Sequence, residues 1–189
     1  MILHALVTDA DAGVQAAQAG ATVIQLRLKI ASTAQRISAA RALRFQLRRA
    51  GLSPLTVMND DVAAALAAGV DAVHLGQGDG GLAEAEAAGI AVGRSVSTVA
   101  EAVAAIAEGA LYLGAGPVWA TPSKTDALPP IGLDGLAEIA AATDLPVIAI
   151  GGVDISNVEA CRSAGASGVA VIRAVSDLGV LRERLLAAL

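Results

Sequence analysis

The feature that most constrains the fold of this chain is a phrase that recurs along it: an alanine-rich helical stretch, a glycine, a few residues and a short apolar run. It occurs five times, around Gly20, Gly69, Gly89, Gly109 and Gly165. Glycine commonly follows a helix because it adopts the left-handed conformation without steric cost. Apolar runs without alternation are typical of parallel strands that are buried on both faces. The phrase therefore predicts repeated βα units around a parallel sheet.

Counting the apolar runs gives eight strands, which helical stretches separate. They are predicted at Leu3–Thr8, Thr22–Arg27, Leu55–Asn59, Ala72–Leu75, Ala91–Ser95, Leu111–Ala115, Val147–Ile150 and Gly168–Ile172. Eight such units in one domain, residues 1–189, most economically close into an α/β fold of the (β/α)8 TIM barrel type. A doubly wound open sheet is the structural alternative. Because barrels typically have about 250 residues, we expect this shorter chain to have a shortened first helix between Asp11 and Gly20.

Composition narrows the classes of partner. The net charge of −5 and the aromatic content of 2% argue against nucleic acid, which needs basic surfaces and stacking platforms. No apolar run approaches the roughly 18 residues of a membrane span, and the first residues lack the pattern of a signal peptide, so we expect a cytoplasmic location. Cys161 has no disulfide partner and is expected to be an ordinary buried thiol. A homo-oligomer is compatible with the sequence.

Three polar side chains alternate along the second apolar run and predict an anion site. Gln25, Arg27 and Lys29 would share one face of a strand, because successive strand side chains point to opposite faces. Two cations and an amide between hydrophobic layers would be costly without a partner. An anionic ligand at the end of the strand would pair them, so a phosphate-type substrate is our first hypothesis. The other face is expected to pack against helices through Ile24, Leu26, Leu28 and Ile30.

Two acidic residues follow the third and fourth strands, at the barrel end where active sites lie. Asp60 and Asp79 would face each other across neighbouring loops. Carboxylate oxygens suit Mg²⁺, which usually takes one or two carboxylates together with substrate phosphate oxygens. Either residue could instead cap a helix, and if Asp61 is the cap then Asp60 is free for the metal.

A second phosphate site is suggested by the later strands. The loop Thr121-Pro-Ser-Lys124 carries two hydroxyl groups and a cation, and a phosphate loop and a surface turn are equally good interpretations of it. Gly151 and Gly152 follow the seventh strand and Arg173 follows the eighth, which matches the phosphate site common in barrels. His4 and His74 lie inside strands and are interpreted as hydrogen-bonded core residues. Chemistry driven by a metal and by electrostatics is therefore favoured over acid–base chemistry.

Taken together, these motifs resemble the thiamine phosphate synthase family, a (β/α)8 superfamily that also contains thiazole tautomerases. The run from Gln25 to Lys29 is similar to the Q-x-R-E-K motif of the family. The resemblance covers nearly the whole chain, and the ordered set is more specific than any single motif. The other matching segments are Asn59-Asp60, Val73–Asp79, Gly93-Arg-Ser95, Gly116–Lys124, Ile150-Gly-Gly152 and Gly168–Arg173.

The resemblance implies a transferase that joins 4-amino-2-methyl-5-hydroxymethylpyrimidine pyrophosphate to thiazole phosphate, with release of pyrophosphate. It implies a dissociative substitution assisted by Mg²⁺ on Asp60 and Asp79. The implied catalytic residues are Arg27, Lys29, Ser95 and Lys124. The implied substrate contacts are Gln25, Arg27, Lys29 and Asn59 for pyrophosphate, Ser95 for the pyrimidine, Thr121, Ser123 and Lys124 for phosphates, and Gly152, Ile172 and Arg173 for thiazole phosphate.

Two alternatives stay open beside the synthase, which we favour. The opening Leu3-His-Ala and the segment Gly93-Arg-Ser95 look like the tautomerase branch, but Pro117 stands where the catalytic histidine of that branch is expected. A barrel that binds thiamine-related phosphates without turning them over is the third hypothesis. It is motivated by Leu28 and Asp61, which stand where the family usually has Glu and a basic residue. Arg173 also replaces a small Ser.

Overall fold

The strands of this protein close into a barrel with each strand beside its neighbours in sequence. The computed structural model describes residues 1–121 and 129–187, and in this part of the chain eight parallel strands form the barrel, with the first strand also paired to the last. The strands are Ile2–Val7 (β1), Val23–Leu26 (β2), Leu55–Asn59 (β3), Ala72–Leu75 (β4), Ala91–Val96 (β5), Tyr112–Ala115 (β6), Val147–Ile150 (β7) and Gly168–Val171 (β8). The (β/α)8 prediction is confirmed, and the predicted ends of every strand lie within one residue of the observed ends.

Helices follow the strands and cover the outside of the barrel. They are Ala10–Gln18 (α1), Thr33–Arg49 (α2), Val62–Ala68 (α3), Leu82–Ala88 (α4), Val99–Ala107 (α5), Gly132–Ala141 (α6), Val158–Ser163 (α7) and Leu178–Ala187 (α8), with a 3₁₀ helix at Arg173–Asp177. The first helix is short, as predicted, with nine residues. Other helices are shorter still, since α3 and α4 have seven residues each and α7 has six. None of the described helices is long and apolar enough to cross a membrane.

The recurring glycines play the predicted role. Each has a positive φ after the preceding helix: 101° at Gly20, 65° at Gly69, 67° at Gly89, 80° at Gly109 and 92° at Gly165. Only glycine adopts these angles at little cost, so the chain reverses there toward the next strand. The phrase in the sequence is therefore the helix ending of five βα units.

The two faces of the strands serve different purposes. Outward side chains such as Ile24, Met58 and Val73 pack against the helices and are fully buried. Inward side chains fill the N-terminal end of the barrel with the apolar cluster Val23, Val57 and Ala72. Above that cluster the barrel opens into a cavity at the C-terminal ends of the strands, lined by polar residues such as Gln25 and by apolar ones such as Leu6 and Ile148.

The second strand is shorter than the polar stripe predicted from it. β2 ends at Leu26, so Arg27 and Lys29 belong to the loop that follows rather than to a strand. Leu28 packs against the outer core as predicted. The expectation that Ile30 packs against helices is wrong, because its side chain is completely exposed. The alternation of side chains between two faces stops after Leu26, because the pleated strand has ended. Of the three polar residues, only Gln25 lies on the strand.

Candidate active site

A cavity of about 740 Å³ occupies the C-terminal end of the barrel. Among the residues predicted as site residues, those that line it are Gln25, Arg27, Lys29, Asn59, Asp60, Asp79, Ser95, Thr121, Gly152 and Ile172. Ser123 and Lys124 lie outside the described residues. The backbone of Arg173 begins the 3₁₀ helix directly after Ile172. The structure thus brings the predicted residues to one place, and the role of each stays a prediction.

One wall of the cavity is cationic and pre-ordered by an amide pair. Gln25 is buried and its Nε2 donates a hydrogen bond of 2.7 Å to Asn59 Oδ1, which joins β2 to β3. Arg27 and Lys29 follow Gln25 at the mouth of the cavity, where the positive charges of both lower the pKa of Asp60. The wall therefore offers two cations and an oriented amide to an anion.

Asp60 and Asp79 form a carboxyl pair opposite these cations. Burial, together with the hydrogen bond and the charge of Asp79, raises the pKa of Asp60 to about 6, although the charges of Lys29 and Arg27 lower it. The backbone amide of Gly76 donates to Asp79 Oδ2 over 2.7 Å. Asp60 also has a φ of 66°, a left-handed conformation that is unfavourable outside glycine and is often found at functional sites. Two adjacent carboxyl groups in a partly buried site are suited to a divalent cation.

The carboxyl pair supplies only part of a metal shell. Among the described residues no group of three or more His, Cys, Asp or Glu side chains could hold a metal ion. Mg²⁺ keeps several waters and takes only one or two carboxylates, with phosphate oxygens completing its octahedron. The donor set therefore fits Mg²⁺ that arrives with a phosphorylated ligand, and it does not fit a closed structural site.

Asp61, the alternative to Asp60 as a helix cap, faces away from this cavity. Its Oδ1 accepts from the backbone amide of Ala64 over 2.8 Å and so caps α3. Its Oδ2 accepts from Arg36 over 2.9 Å. The same guanidinium donates to the carbonyl oxygens of Leu28 and Lys29 over 3.1 and 3.3 Å. Asp61 and Arg36 thus fix the loop that carries the cations.

Three aromatic rings form the floor of the cavity, and no functional role was predicted for them. His74 Nδ1 lies 2.9 Å from Tyr112 Oη, and His74 Nε2 lies 2.9 Å from Ser95 Oγ. The His4 ring is tilted against Tyr112 with 6.0 Å between centroids. His74 is hydrogen-bonded, as predicted, but it borders the cavity instead of lying in a closed core.

Glycines inside the strands make room for these rings. Gly93 pairs in register with His74 on one side and with Tyr112 on the other. A Cβ at position 93 would overlap the Tyr112 ring, and one at Gly114 would lie 3.1 Å from His74 Cε1. Glycine inside a strand commonly marks such a close approach. That was the signal in the sequence from which the floor could have been found.

His4 is the most deeply buried ionisable group of the floor. Burial, with a smaller contribution from the nearby His74, lowers the pKa of His4 to about 3, although a hydrogen bond to Gln25 raises it. Its Nε2 has no hydrogen-bond partner among the described residues. The His4 imidazole is therefore neutral at pH 7 and adds no positive charge to the cavity, where Arg27 and Lys29 are the arginine and lysine side chains among the described lining residues.

The opposite side of the cavity has exposed glycine backbone, and the carboxylates of Asp154 and Asp177 also line it. Gly151 and Gly152 have φ values of 95° and 68°, and a Cβ at either would lie within 2.7 Å of Pro117 or Trp119. Close backbone with free N–H groups is the usual cradle for a phosphate at this end of a barrel. Cys161 is buried in α7, and burial raises the pKa of its thiol to about 11, so it is no nucleophile here.

Comparisons with known proteins agree with one another. Residues 6–175 match the family model described as thiamine monophosphate synthase. The thiamine-phosphate synthase of Chloroflexus aurantiacus is 47% identical over 158 residues, 82% of this chain and 72% of the relative. That of Methanoculleus marisnigri is 46% identical over 191 residues, 96% and 90% of the two chains. The structure of thiamine phosphate pyrophosphorylase from Pyrococcus furiosus superposes with a TM-score of 0.88 at 31% identity, covering 100% of this chain and 96% of that one.

Proposed function

The chain belongs to the thiamine monophosphate synthase family, and from this premise we propose that it joins 4-amino-2-methyl-5-hydroxymethylpyrimidine pyrophosphate to thiazole phosphate at the cavity described above. The product is thiamine phosphate and the leaving group is pyrophosphate. The observation that carries the assignment is the placement of Arg27 and Lys29 opposite Asp60 and Asp79 in one cavity. A diphosphate with its metal ion is the ligand that satisfies both sets of charges at once.

The reaction needs no protein nucleophile. The C–O bond between the pyrimidine methylene and the pyrophosphate breaks, and its electron pair stays on the leaving oxygen. The lone pair of the thiazole ring nitrogen then forms the new C–N bond to that methylene carbon. Negative charge therefore develops on the pyrophosphate, where Arg27, Lys29 and the Asn59 amide would stabilise it. Such preorganised electrostatic stabilisation is usually the largest contribution to catalysis.

Asp60 and Asp79 would hold Mg²⁺. When bound, the ion supplies positive charge to the phosphate oxygens of the leaving group. The protein orients the pair from two sides: Asp60 by its left-handed backbone and Asp79 by the Gly76 amide. The raised pKa of Asp60, caused first by burial and then by Asp79, supports this role, because a bound cation would stabilise the ionised carboxylate there.

The thiazole phosphate would bind at the glycine-rich side. The backbone of Gly152 and of Ile172-Arg173 would hold its phosphate, and Thr121 would contribute a hydroxyl group. Ser123 and Lys124 remain predicted phosphate contacts. Ser95 would lie against the pyrimidine and the leaving oxygen, between the two phosphate sites. A cytoplasmic location and a homo-oligomer stay predictions.

The alternatives have weaker support. Pro117, at the position of the tautomerase histidine, lines the cavity and offers no proton-transfer group. A non-catalytic barrel was suggested by Leu28 and Asp61, but Leu28 packs on the outer core and Asp61 caps a helix. Neither substitution reaches the cavity, so neither argues against catalysis.

The test is product formation by the purified protein. Incubation with both substrates and Mg²⁺ should yield thiamine phosphate and pyrophosphate in equal amounts, each followed by chromatography. Omission of thiazole phosphate should abolish the thiamine phosphate. Isomerisation of a carboxythiazole phosphate without condensation would instead identify a tautomerase, and binding of both substrates without turnover would identify the non-catalytic barrel.

A further inference from the structure

A short hydrogen-bonded chain, Tyr112–His74–Ser95, runs from the barrel floor to the cavity wall. Both of its links are 2.9 Å long, from Tyr112 Oη to His74 Nδ1 and from His74 Nε2 to Ser95 Oγ. A neutral imidazole has one N–H donor and one bare acceptor, so the two links run in one direction or the other. The direction decides whether the hydroxyl group of Ser95 faces the substrate as a donor or as an acceptor.

The tyrosine hydroxyl group favours one direction of the two hydrogen bonds. Burial raises the pKa of Tyr112, so the hydroxyl group keeps its proton. In the described part of the chain, His74 Nδ1 is the acceptor within reach of that proton. If Nδ1 itself carried a proton, the Tyr112 O–H would lose this acceptor, which is unfavourable because a phenol is a strong hydrogen-bond donor. Ser95 and Tyr112 are both half-buried and border the cavity, but the serine hydroxyl group is the weaker acid, so it is the one that more readily accepts a hydrogen bond from the imidazole.

We propose that Tyr112 is a positioning residue, whose hydroxyl group donates to His74 Nδ1, keeps the His74 proton on Nε2 and thereby makes Ser95 a hydrogen-bond donor toward the leaving group. The part of this inference that concerns the substrate rests on the proposed function. The part that concerns the tautomer of His74 does not.

The polarity of Ser95 matters because the ligand is anionic. With the Nε2–H of His74 donating to Ser95 Oγ, the serine O–H is free to donate to a leaving-group oxygen. If the hydrogen bonds ran in the opposite direction, Ser95 would donate to His74. Only the lone pairs of Ser95 would then face the pyrophosphate, and they would repel its negative charge. The charge that develops on the leaving oxygen strengthens a hydrogen bond donated to it, so the benefit is larger in the transition state than in the bound substrate.

The backbone is adapted to this chain. His74, Gly93 and Tyr112 are register partners on β4, β5 and β6, and the missing side chain at Gly93 lets the two rings meet across the middle strand. The rings stack with 5.5 Å between centroids and 30° between planes. A glycine inside a strand weakens that strand. Its presence between the two rings is consistent with a site that needs the contact between His74 and Tyr112.

The tautomer is measured directly by nitrogen-15 NMR at neutral pH. The sequence contains two histidines, and a His4→Gln variant identifies the resonances of His74. Long-range proton–nitrogen correlations should show a protonated Nε2 and a bare Nδ1 for His74 in the wild-type protein. Tyr112→Phe should convert His74 to a mixture of tautomers. A wild-type His74 with its proton on Nδ1 would overturn the proposal, whatever the activity of the protein.

Kinetics test whether Tyr112 acts through Ser95. In the Ser95-containing protein, Tyr112→Phe should lower kcat about tenfold with little change in the KM of thiazole phosphate. In a Ser95→Ala background, the same change should lower kcat less than about twofold, because the two residues are coupled. An equal loss in both backgrounds would refute the proposal. If the wild-type protein makes no thiamine phosphate, the proposed function fails and the NMR result still decides the tautomer.

Thr56→Val is the matched control for loss of a buried hydroxyl group. Thr56 Oγ1 donates to Asp71 Oδ2 over 2.6 Å, and Thr56 is not among the residues that line the cavity. Its removal should lower the free energy of unfolding while leaving kcat within about twofold of wild type. A loss of kcat in Thr56→Val like that in Tyr112→Phe would show that the latter is only structural.

Discussion

The side-chain amide nitrogen of Gln25 donates to the side-chain oxygen of Asn59 over 2.7 Å, which links two neighbouring strands inside the barrel. Since the oxygen of Asn59 is the acceptor, the amide nitrogen of Asn59 is the group left to donate. Its donors are then available to an anion in the cavity. The link thus orients two neutral side chains so that they could bind an anion in the cavity.

Asn59→Asp tests this orientation with almost no change in shape. The aspartate still accepts from Gln25, but it loses the amide donors and adds a negative charge beside the leaving group. We expect the KM of the pyrimidine pyrophosphate to rise about 100-fold, roughly 2.7 kcal/mol of binding, with a near-wild-type free energy of unfolding. Steady-state kinetics and urea unfolding measure the two. An unchanged KM would show that Asn59 does not contact the pyrophosphate.

Asp79→Asn and Asp61→Asn form a matched pair for the metal site. Loss of the Asp79 carboxylate should weaken Mg²⁺ binding at least about tenfold, since it removes one of two anionic ligands. Asp61→Asn should leave Mg²⁺ affinity unchanged and lower the free energy of unfolding by about 1 kcal/mol, because Asp61 caps α3 and pairs with Arg36. Calorimetric titration in the presence of pyrophosphate distinguishes them. The reverse order of effects would transfer the metal site to Asp61.

Leu28→Glu introduces the residue that the family usually has after the cationic strand. Because Leu28 packs against the outer core and is absent from the cavity wall, the change should lower the free energy of unfolding by about 1 kcal/mol. It should leave kcat/KM within about twofold. Leu28→Gln is the uncharged control. A tenfold gain in kcat/KM for Leu28→Glu alone would mean that position 28 acts in the reaction.

His4 should make the protein less stable in mild acid. Its pKa is about 3 when folded, against a reference of 6.5 for the unfolded chain. The unfolded chain therefore binds the extra proton between these values, and stability is lost as the pH falls below 6.5. From pH 7 to pH 5 this loss is about 2 kcal/mol. Asp60, whose pKa is raised on folding, acts in the opposite direction.

The contribution of His4 to the pH dependence of stability is measured by comparing the wild-type protein with a His4→Gln variant. His4→Gln keeps an amide that can bind Gln25 but does not titrate, and Asp60 is unchanged in it. Urea unfolding at pH 7 and pH 5 should show that the wild-type protein loses about 2 kcal/mol more than His4→Gln. Equal losses would mean that His4 is not held neutral by burial.

The sequence was sufficient for the barrel because local and long-range signals agree in it. Gly69 ends α3 with a left-handed turn, and the apolar run after it becomes β4. The ends of the strands then meet at one edge, which is why Asp60 and Asp79 could be predicted as neighbours without coordinates. The C-terminal end of β2 could not be predicted from the alternation of polar and apolar residues, since that alternation continues through Lys29 after the strand has ended.

The floor of the site was missed for a physical reason. Strands buried on both faces carry apolar residues at nearly every position, so hydropathy does not distinguish the barrel interior from the helix-facing side. His74 was therefore interpreted as a core residue, and no role was predicted for Tyr112. Their partners lie on other strands, and only the register of β4, β5 and β6 brings them together across Gly93.

The central claim is that the cations after β2 stabilise the pyrophosphate leaving group during synthesis of thiamine phosphate. Its most direct test is the rate of thiamine phosphate formation by Arg27→Gln relative to wild type. Arg41→Gln is the control, since Arg41 binds the Ala67 carbonyl on the helical surface over 2.8 Å. We predict a loss of about 100-fold or more for Arg27→Gln and less than about twofold for Arg41→Gln. A wild-type rate for Arg27→Gln would contradict the claim.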